Sequence, residues 1–233
     1  AVRKQKIEVY ANIDADHVIS APDVDNVYEV PLNFEKEHLG RKLLKKFDLA
    51  PRAEPSWAGW RERVDAIGNP KEKIKIAMVG KYVDIGQFTL ADSYISVNSA
   101  LAHAGAQLSV GVKIDWIDSK LIEKNGPSLL SNYSGIIVPG GFGAGGIEGK
   151  IKAIEYARLN NVPFLGLCYG LQLATVEYAR NVCSMEGANS TEIDPETQFP
   201  VIDVLPAQRQ VLSEGRYGAT MRLGAYSAVL KDD

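Results

Sequence analysis

Histidine and cysteine are nearly absent from these 233 residues: His17, His38 and His103, and Cys168 and Cys183, are all there are. Two cysteines cannot build a disulfide framework, which excludes the small secreted scaffolds and favours a reducing, cytoplasmic setting. No run of 18 apolar residues and no stretch with the make-up of a secretory signal occurs, so no membrane partner is expected. Charge of one sign is lacking too. The formal net charge is −3, and residues 1–72 carry 12 Lys and Arg against 13 Asp and Glu, leaving 14 against 16 for the rest. Nucleic acid needs a basic face that this balance does not offer. Internal repeats and low-complexity tracts are missing. What remains is an ordinary globular composition, 45% hydrophobic and 24% charged. Both ends, Ala1 without a methionine and Lys231 to Asp233 directly after a strand-like run, read as cut, so the chain is expected to be part of something larger.

Residues 1–50 read as a strand, a polar turn, a short extended segment and a helix. Lys6 to Ala11 alternates like a strand, Ser20 to Asp25 is a polar turn, and Val27 to Val30 reads as a short extended segment. Residues 34–48 carry Leu39, Leu43, Leu44 and Phe47 at helical spacing. Residues 51–72 are a linker, rich at first in Pro, Ala, Ser and Trp, with a short helix over Trp57 to Ile67 and a break at Asn69-Pro70. Trp57 and Trp60 suit packing rather than ligand stacking. From 73 to 233 strands and helices alternate. The strands are Lys73 to Gly80, Val110 to Ile117, Tyr133 to Val138 and Val162 to Leu167; the helices are Asp92 to Ala104, stopped by Gly105, then Glu148 to Asn160 and Leu171 to Asn181. That alternation implies an α/β fold with a doubly wound, mostly parallel sheet. Phe199 to Leu205, Thr220 to Leu223 and Ala225 to Leu230 read as antiparallel additions at one edge.

Pro163 to Gly170 is an apolar run ending at a cysteine framed by Gly166 and Gly170. A strand that hands a nucleophile to a helix through a tight, strained turn needs small neighbours on both sides. Cys168 is therefore the candidate nucleophile, at a helix N-terminus where unpaired N–H groups favour a thiolate. The alternative is a core cysteine that ends a strand by chance. Attack on an amide makes a tetrahedral oxyanion, which needs converging N–H donors. The turn Pro139-Gly-Gly-Phe-Gly143, at the same sheet edge, can supply one and Tyr169 the other. No histidine follows Cys168. His103, near a helix end, suits a structural role by its interaction with terminal carbonyls, and Cys183 a small half-buried one. Glu192, read locally, is a solvated turn carboxylate.

Several segments in order carry a resemblance: Ser20-Ala-Pro-Asp-Val-Asp25 with Tyr28, Val79-Gly-Lys-Tyr82, Pro139 to Gly143 with Glu148-Gly-Lys150, Gly166-Leu-Cys-Tyr-Gly-Leu-Gln172, Asn189-Ser-Thr-Glu192 and Thr220-Met-Arg-Leu-Gly224. The elbow alone resembles the class I glutamine amidotransferases, a flavodoxin-like fold; the whole series resembles the CTP synthases. That resemblance implies that residues 1–50 end a synthetase domain using ATP and UTP and that residues 73–233 form an amidotransferase domain truncated at its C-terminus. It implies hydrolysis of glutamine at Cys168 and transfer of the ammonia to UTP that ATP has phosphorylated, giving CTP. By the same resemblance, substrate contacts fall on Gly141, Phe142, Tyr169, Gly170, Leu171, Gln172 and Glu192. A segment bordering ATP falls on Asp23 and Val24. GTP as activator and a homo-oligomer, a tetramer, are also implied. No metal ligand is expected here, since the Mg2+ ligands and the phosphate loop belong to sequence that precedes these residues in the family.

Two positions depart from the family pattern: Tyr169 stands where leucine is usual, and Gly145 where arginine is usual in a loop tied to GTP. The family's substrate-carboxylate arginine and its triad His and Glu would follow residue 233, so these residues alone are expected not to turn over glutamine. A non-catalytic amidotransferase-like module, binding or regulatory, is the competing reading. A third is a different elbow cysteine hydrolase, against which the Ser20 to Asp25 segment argues.

Overall fold

The computed structural model describes residues 2–80, 84–85, 88–89, 94–141, 145–205, 208–209 and 213–214. The chain divides into two compact units, Ala1–Ile76 with Asp84–Asp115, and Ala77–Val83 with Trp116–Asp233.

In chain order the described elements begin with α1 (Val2–Ala11), α2 (Val30–Lys36), α3 (Leu39–Lys46) and α4 (Ala58–Gly68). Then come β1 (Glu72–Gly80), β2 (Asp84–Ile85), β3 (Phe88–Thr89), α5 (Ile95–Leu108) and β4 (Val110–Asp118). After these follow α6 (Ser119–Asn125), β5 (Gly135–Val138), α7 (Ile147–Leu159), β6 (Phe164–Gly166), α8 (Tyr169–Asn181), β7 (Asn189–Ser190) and β8 (Pro200–Ile202). The main sheet has the order β4-β1-β5-β6, and β5 and β6 pair in parallel. Counting only those four strands, the order is 2-1-3-4, that of a flavodoxin-like doubly wound sheet, with its switch point between β1 and β5.

Several local expectations are corrected. Lys6 to Ala11 lies in a helix rather than a strand. Ile7, Val9 and Tyr10 stay exposed there, and with no strand beside them among the described residues, local helical hydrogen bonds satisfy the backbone. Val27 to Val30 is not extended: Asn26 accepts from the Tyr28 N–H at 3.0 Å, starting a 3-10 turn that runs into α2, where Pro31 suits the first turn. The single helix over 34–48 is two, separated at His38, whose φ of 55° lies in the left-handed region. Gly105 does not end its helix; α5 continues to Leu108 and stops at Ser109. A Cβ at Gly105 would collide with the Val110 carbonyl oxygen, so the glycine permits the close return from α5 to β4. The edge additions differ as well: β7 and β8 pair in parallel in a separate two-stranded sheet. Thr220 to Leu230 lies outside the described residues.

Unit 1 is organised around aromatics. Trp60 donates its indole N–H to the Tyr28 carbonyl at 2.9 Å, and the Tyr28 hydroxyl shares a hydrogen bond with His103 Nε2. The His103 ring stands 5.2 Å from that of Tyr28. His103 is thus structural, through a side-chain partner rather than helix-end carbonyls.

The core of unit 2 is an apolar cluster that includes Val79, Ile136, Val138, Ile151, Ile154, Leu173 and Val176, and both faces of β5 and of the end of β1 are covered. Glu177 is buried within this region at 1% exposure. Arg158 donates from Nε and Nη2 at 3.0 and 2.7 Å, and Asn181 Nδ2 at 3.0 Å, so the carboxylate ties α7 to α8. The carboxylate in turn holds the Arg158 guanidinium above its usual pKa. Replacing Glu177 with Ala removes the clamp and strands the guanidinium. The expected cost is about 2 to 4 kcal/mol, since Arg158 keeps some water contact. A denaturant midpoint unchanged from wild type would refute this role.

Candidate functional site

Parallel pairing brings the site's two loops together. Ile136, Ile137 and Val138 lie opposite Phe164, Leu165 and Gly166, so β5 and β6 end level with each other. Pro139-Gly140-Gly141 leaves one strand and Leu167-Cys168 the other. The Leu167 N–H then donates to the Val138 carbonyl at 2.9 Å, which extends the pairing one step past the strand end. A Cβ placed on Gly140 would stand 3.5 Å from Cys168 Cβ and 4.0 Å from its Sγ. The glycine turn therefore lies directly against the thiol-bearing residue.

Cys168 has φ 52° and ψ −105°, a conformation costly for any residue with a Cβ, about 1 to 3 kcal/mol. It is the N-cap of α8, and its carbonyl accepts from the Leu171 and Gln172 N–H groups at 3.1 and 3.2 Å. Gly170 N–H donates to the Leu167 carbonyl at 2.9 Å, closing the turn. A Cβ on Gly166 would fall 2.7 Å from Gly170 backbone atoms, and one on Gly170 would overlap the Val138 carbonyl. Only glycines fit this crossing, which is the geometry of a nucleophile elbow. The thiol is exposed, as is that of Cys183, which lines a shallow hollow with Ala174, Thr175, Tyr178 and Ala179. Cys183 is thus exposed rather than half-buried.

The remaining candidates fall as follows. Tyr169 is 2% exposed; its N–H sits in the first helical turn, where N–H groups have no helical partner. Its hydroxyl is buried without a hydrogen-bond partner. Burial first, and the charge of Glu192 second, push its phenol pKa up. Glu192, exposed, is brought to Tyr169 by the β7 turn: Thr191 N–H donates to the Ile202 carbonyl at 3.0 Å and Glu192 N–H to Ser190 Oγ at 3.2 Å. Gln172 is half-buried on the first turn of α8, while Leu171 points to solvent at 62% exposure. Gly141 is half-buried next to Gly140. Phe142 and Gly143 lie outside the described residues. Asp23, exposed, and Val24, half-buried, belong to unit 1 and are described only within it.

In the sequence Lys150 is legible only as part of a motif. Its burial is not, because a lysine on a helix normally faces water. It is 3% exposed, with Nζ 5.2 Å from the Tyr169 ring centroid. Among the described residues, no group of three or more His, Cys, Asp and Glu could hold a metal ion, and no helix is long and apolar enough to cross a membrane.

An elbow cysteine, a glycine turn against it and a following helix sit together on a flavodoxin-like sheet. Residues 89–229 match the sequence family described as Glutamine amidotransferase class-I, and the chain belongs to that family. Residues 1–49 match a second family, CTP synthase N-terminus. The chain is similar to CTP synthases over almost its whole length. That of Thermococcus kodakarensis is 50% identical over 228 residues, 98% of this chain and 41% of the relative. That of Sulfolobus acidocaldarius is 45% identical over 231 residues, 98% of this chain and 42% of the relative. Among solved structures, the glutaminase domain of Trypanosoma brucei CTPS with bound acivicin matches with a TM-score of 0.54 at 36% identity, covering 58% of this chain and 52% of that one. The chain thus spans about two-fifths of the length of the curated relatives it matches.

Because a Cβ at Gly170 would overlap Val138, Gly170→Ala should push the start of α8 off β5 and destabilise the protein by about 1 to 3 kcal/mol. The Cys168 thiol would move with it. An unchanged melting temperature together with unchanged thiol accessibility would show that the elbow does not depend on this crossing.

Proposed function

We propose that this chain supplies ammonia for a glutamine-dependent CTP synthase, which aminates UTP to CTP at the expense of ATP. The observation that carries the reading is the strained, exposed Cys168 with Gly140 packed against it. Glutamine's side-chain amide carbon is attacked by Cys168 Sγ, and the carbonyl oxygen takes up negative charge between the N–H groups of Gly141 and Tyr169. Release of ammonia leaves a glutamyl thioester, which water opens to glutamate. Glu192 and Gln172 hold the amino-acid end, the carboxylate matching the substrate ammonium through a charge-assisted hydrogen bond. By the family resemblance, Phe142, Gly170 and Leu171 are assigned the remaining substrate contacts.

The reading divides the chain into the end of the synthetase domain at 1–50, a linker at 51–72 and the amidotransferase domain at 73–233. The family matches at 1–49 and 89–229 support that division. Asp23 and Val24 border ATP. The reading assigns the Mg2+ ligands to sequence outside these 233 residues, and no step here runs through the metal. Unit 2 contains no histidine, and the reading assigns the histidine and carboxylate that serve Cys168 to sequence outside these 233 residues. A homotetramer in the cytoplasm, with GTP as activator, completes the proposal.

The test uses the full-length protein. Cys168→Ala should lower glutamine-driven CTP formation by about 10³-fold or more while ammonia-driven formation stays at the wild-type rate. A glutamine-mimicking electrophile should label Cys168 before Cys183. Glutamate release that survives the substitution, or a wild-type protein that releases none, would overturn the reading; the latter outcome favours a non-catalytic module.

Gly145 generates a second expectation. With no guanidinium at this position, GTP should stimulate glutamine-driven synthesis weakly, and Gly145→Arg should strengthen that stimulation. Strong, saturable stimulation of the wild type would show that another residue, such as Arg222, seats GTP.

A further inference from the structure

Lys150 is a charge in the core of unit 2. It lies in the first turn of α7, is 3% exposed, and its Nζ stands 3.6 Å from where a Cβ on Gly141 would begin. The same ammonium lies over the ring of Tyr169, 5.2 Å from the centroid. Gly141 and Tyr169 are the two residues whose N–H groups converge on the oxyanion in the glutaminase reading, and Gly140, beside Gly141, packs on Cys168. One buried cation therefore borders both halves of the anion cradle. Removing an ammonium from water is costly, and the face of an aromatic ring returns part of that cost. Tyr169, where the family pattern has leucine, provides such a face.

We propose that Lys150 is an electrostatic positioning residue of the glutaminase centre, fixing Gly141 and Tyr169 and stabilising negative charge on the substrate's carbonyl oxygen. The inference rests on the glutaminase reading. As the Sγ–carbon bond forms, the carbonyl π pair moves onto oxygen, so the thiolate's unit charge passes to that oxygen. Lys150 makes no bond to the substrate and exchanges no proton. The ammonium itself is shielded from water, and it is already in place before the charge develops. The ring of Tyr169 is one of the groups packed against it.

The experiment compares Lys150→Met, Lys150→Gln and Lys150→Arg in the full-length protein, reading kcat and KM for glutamine hydrolysis and, separately, ammonia-driven CTP formation. Both neutral variants should lose about tenfold to hundredfold in kcat with KM and ammonia-driven formation unchanged. Lys150→Arg, which keeps the charge, should recover most of the loss. Wild-type kcat in the neutral variants would overturn the proposal. Equal losses in all three would assign the effect to packing rather than charge and overturn it too. Joint loss of ammonia-driven formation in the neutral variants would make Lys150 a folding residue, which overturns it equally. A wild-type protein that hydrolyses no glutamine would fail the glutaminase reading itself.

Discussion

The strained backbone at Cys168 is the constraint on which the rest of unit 2 depends. A residue with a Cβ does not hold φ 52° and ψ −105° by itself; the surroundings must over-determine it. Here they do so in three ways. The parallel register sets Val138 opposite Gly166, the Leu167 N–H bonds the Val138 carbonyl, and Gly166 and Gly170 let β6, β5 and α8 cross at backbone contact. Release any of these and the chain can relax into an ordinary strand-to-helix turn, with the thiol no longer beside the glycine turn.

Helix α8 must be held as firmly as the elbow that launches it. Its apolar face packs Leu173 and Val176 into the core, and its polar residues clamp it to α7. Glu177 receives Arg158 and Asn181, while Arg180 bonds Glu148 at 3.0 Å and the Ala188 carbonyl at 2.6 Å. The second arginine thus links α7, α8 and the approach to β7, the turn that carries Glu192. A buried carboxylate such as Glu177 costs desolvation, and its directional bonds set helix orientation more than they add stability. Lys150 and Tyr169 belong to the same logic, closer to the chemistry.

Unit 1 is held differently. Its first four helices bury no residue fully, and its order comes from a few side-chain links: Trp60 to the Tyr28 carbonyl, Lys42 to the Asp16 carbonyl and Lys4 to Glu37. Tyr28 and His103 come from segments matched by two different families, at 1–49 and 89–229, yet meet inside one compact unit. Family boundaries along a chain and packing boundaries in space need not coincide.

The amino-acid sequence by itself determined what local patterns can carry. The apolar runs Ile76 to Gly80 in β1 and Gly135 to Val138 in β5 announce strand segments covered on both faces, and glycines two residues either side of Cys168 announce an elbow. It did not determine the state of segments whose pattern is weak or whose partners are remote. Lys6 to Ala11 alternates like a strand, but a strand needs a neighbour to bond, and only the fold says whether one exists. Gly105 looks like a helix stop until Val110 is seen returning past it. Tertiary structure alone decided that Lys150 is buried against Tyr169 and that Glu192 comes near the same ring. A side chain's burial and electrostatic partners depend on which distant segments pack around it, and that is not encoded at its own position in the chain.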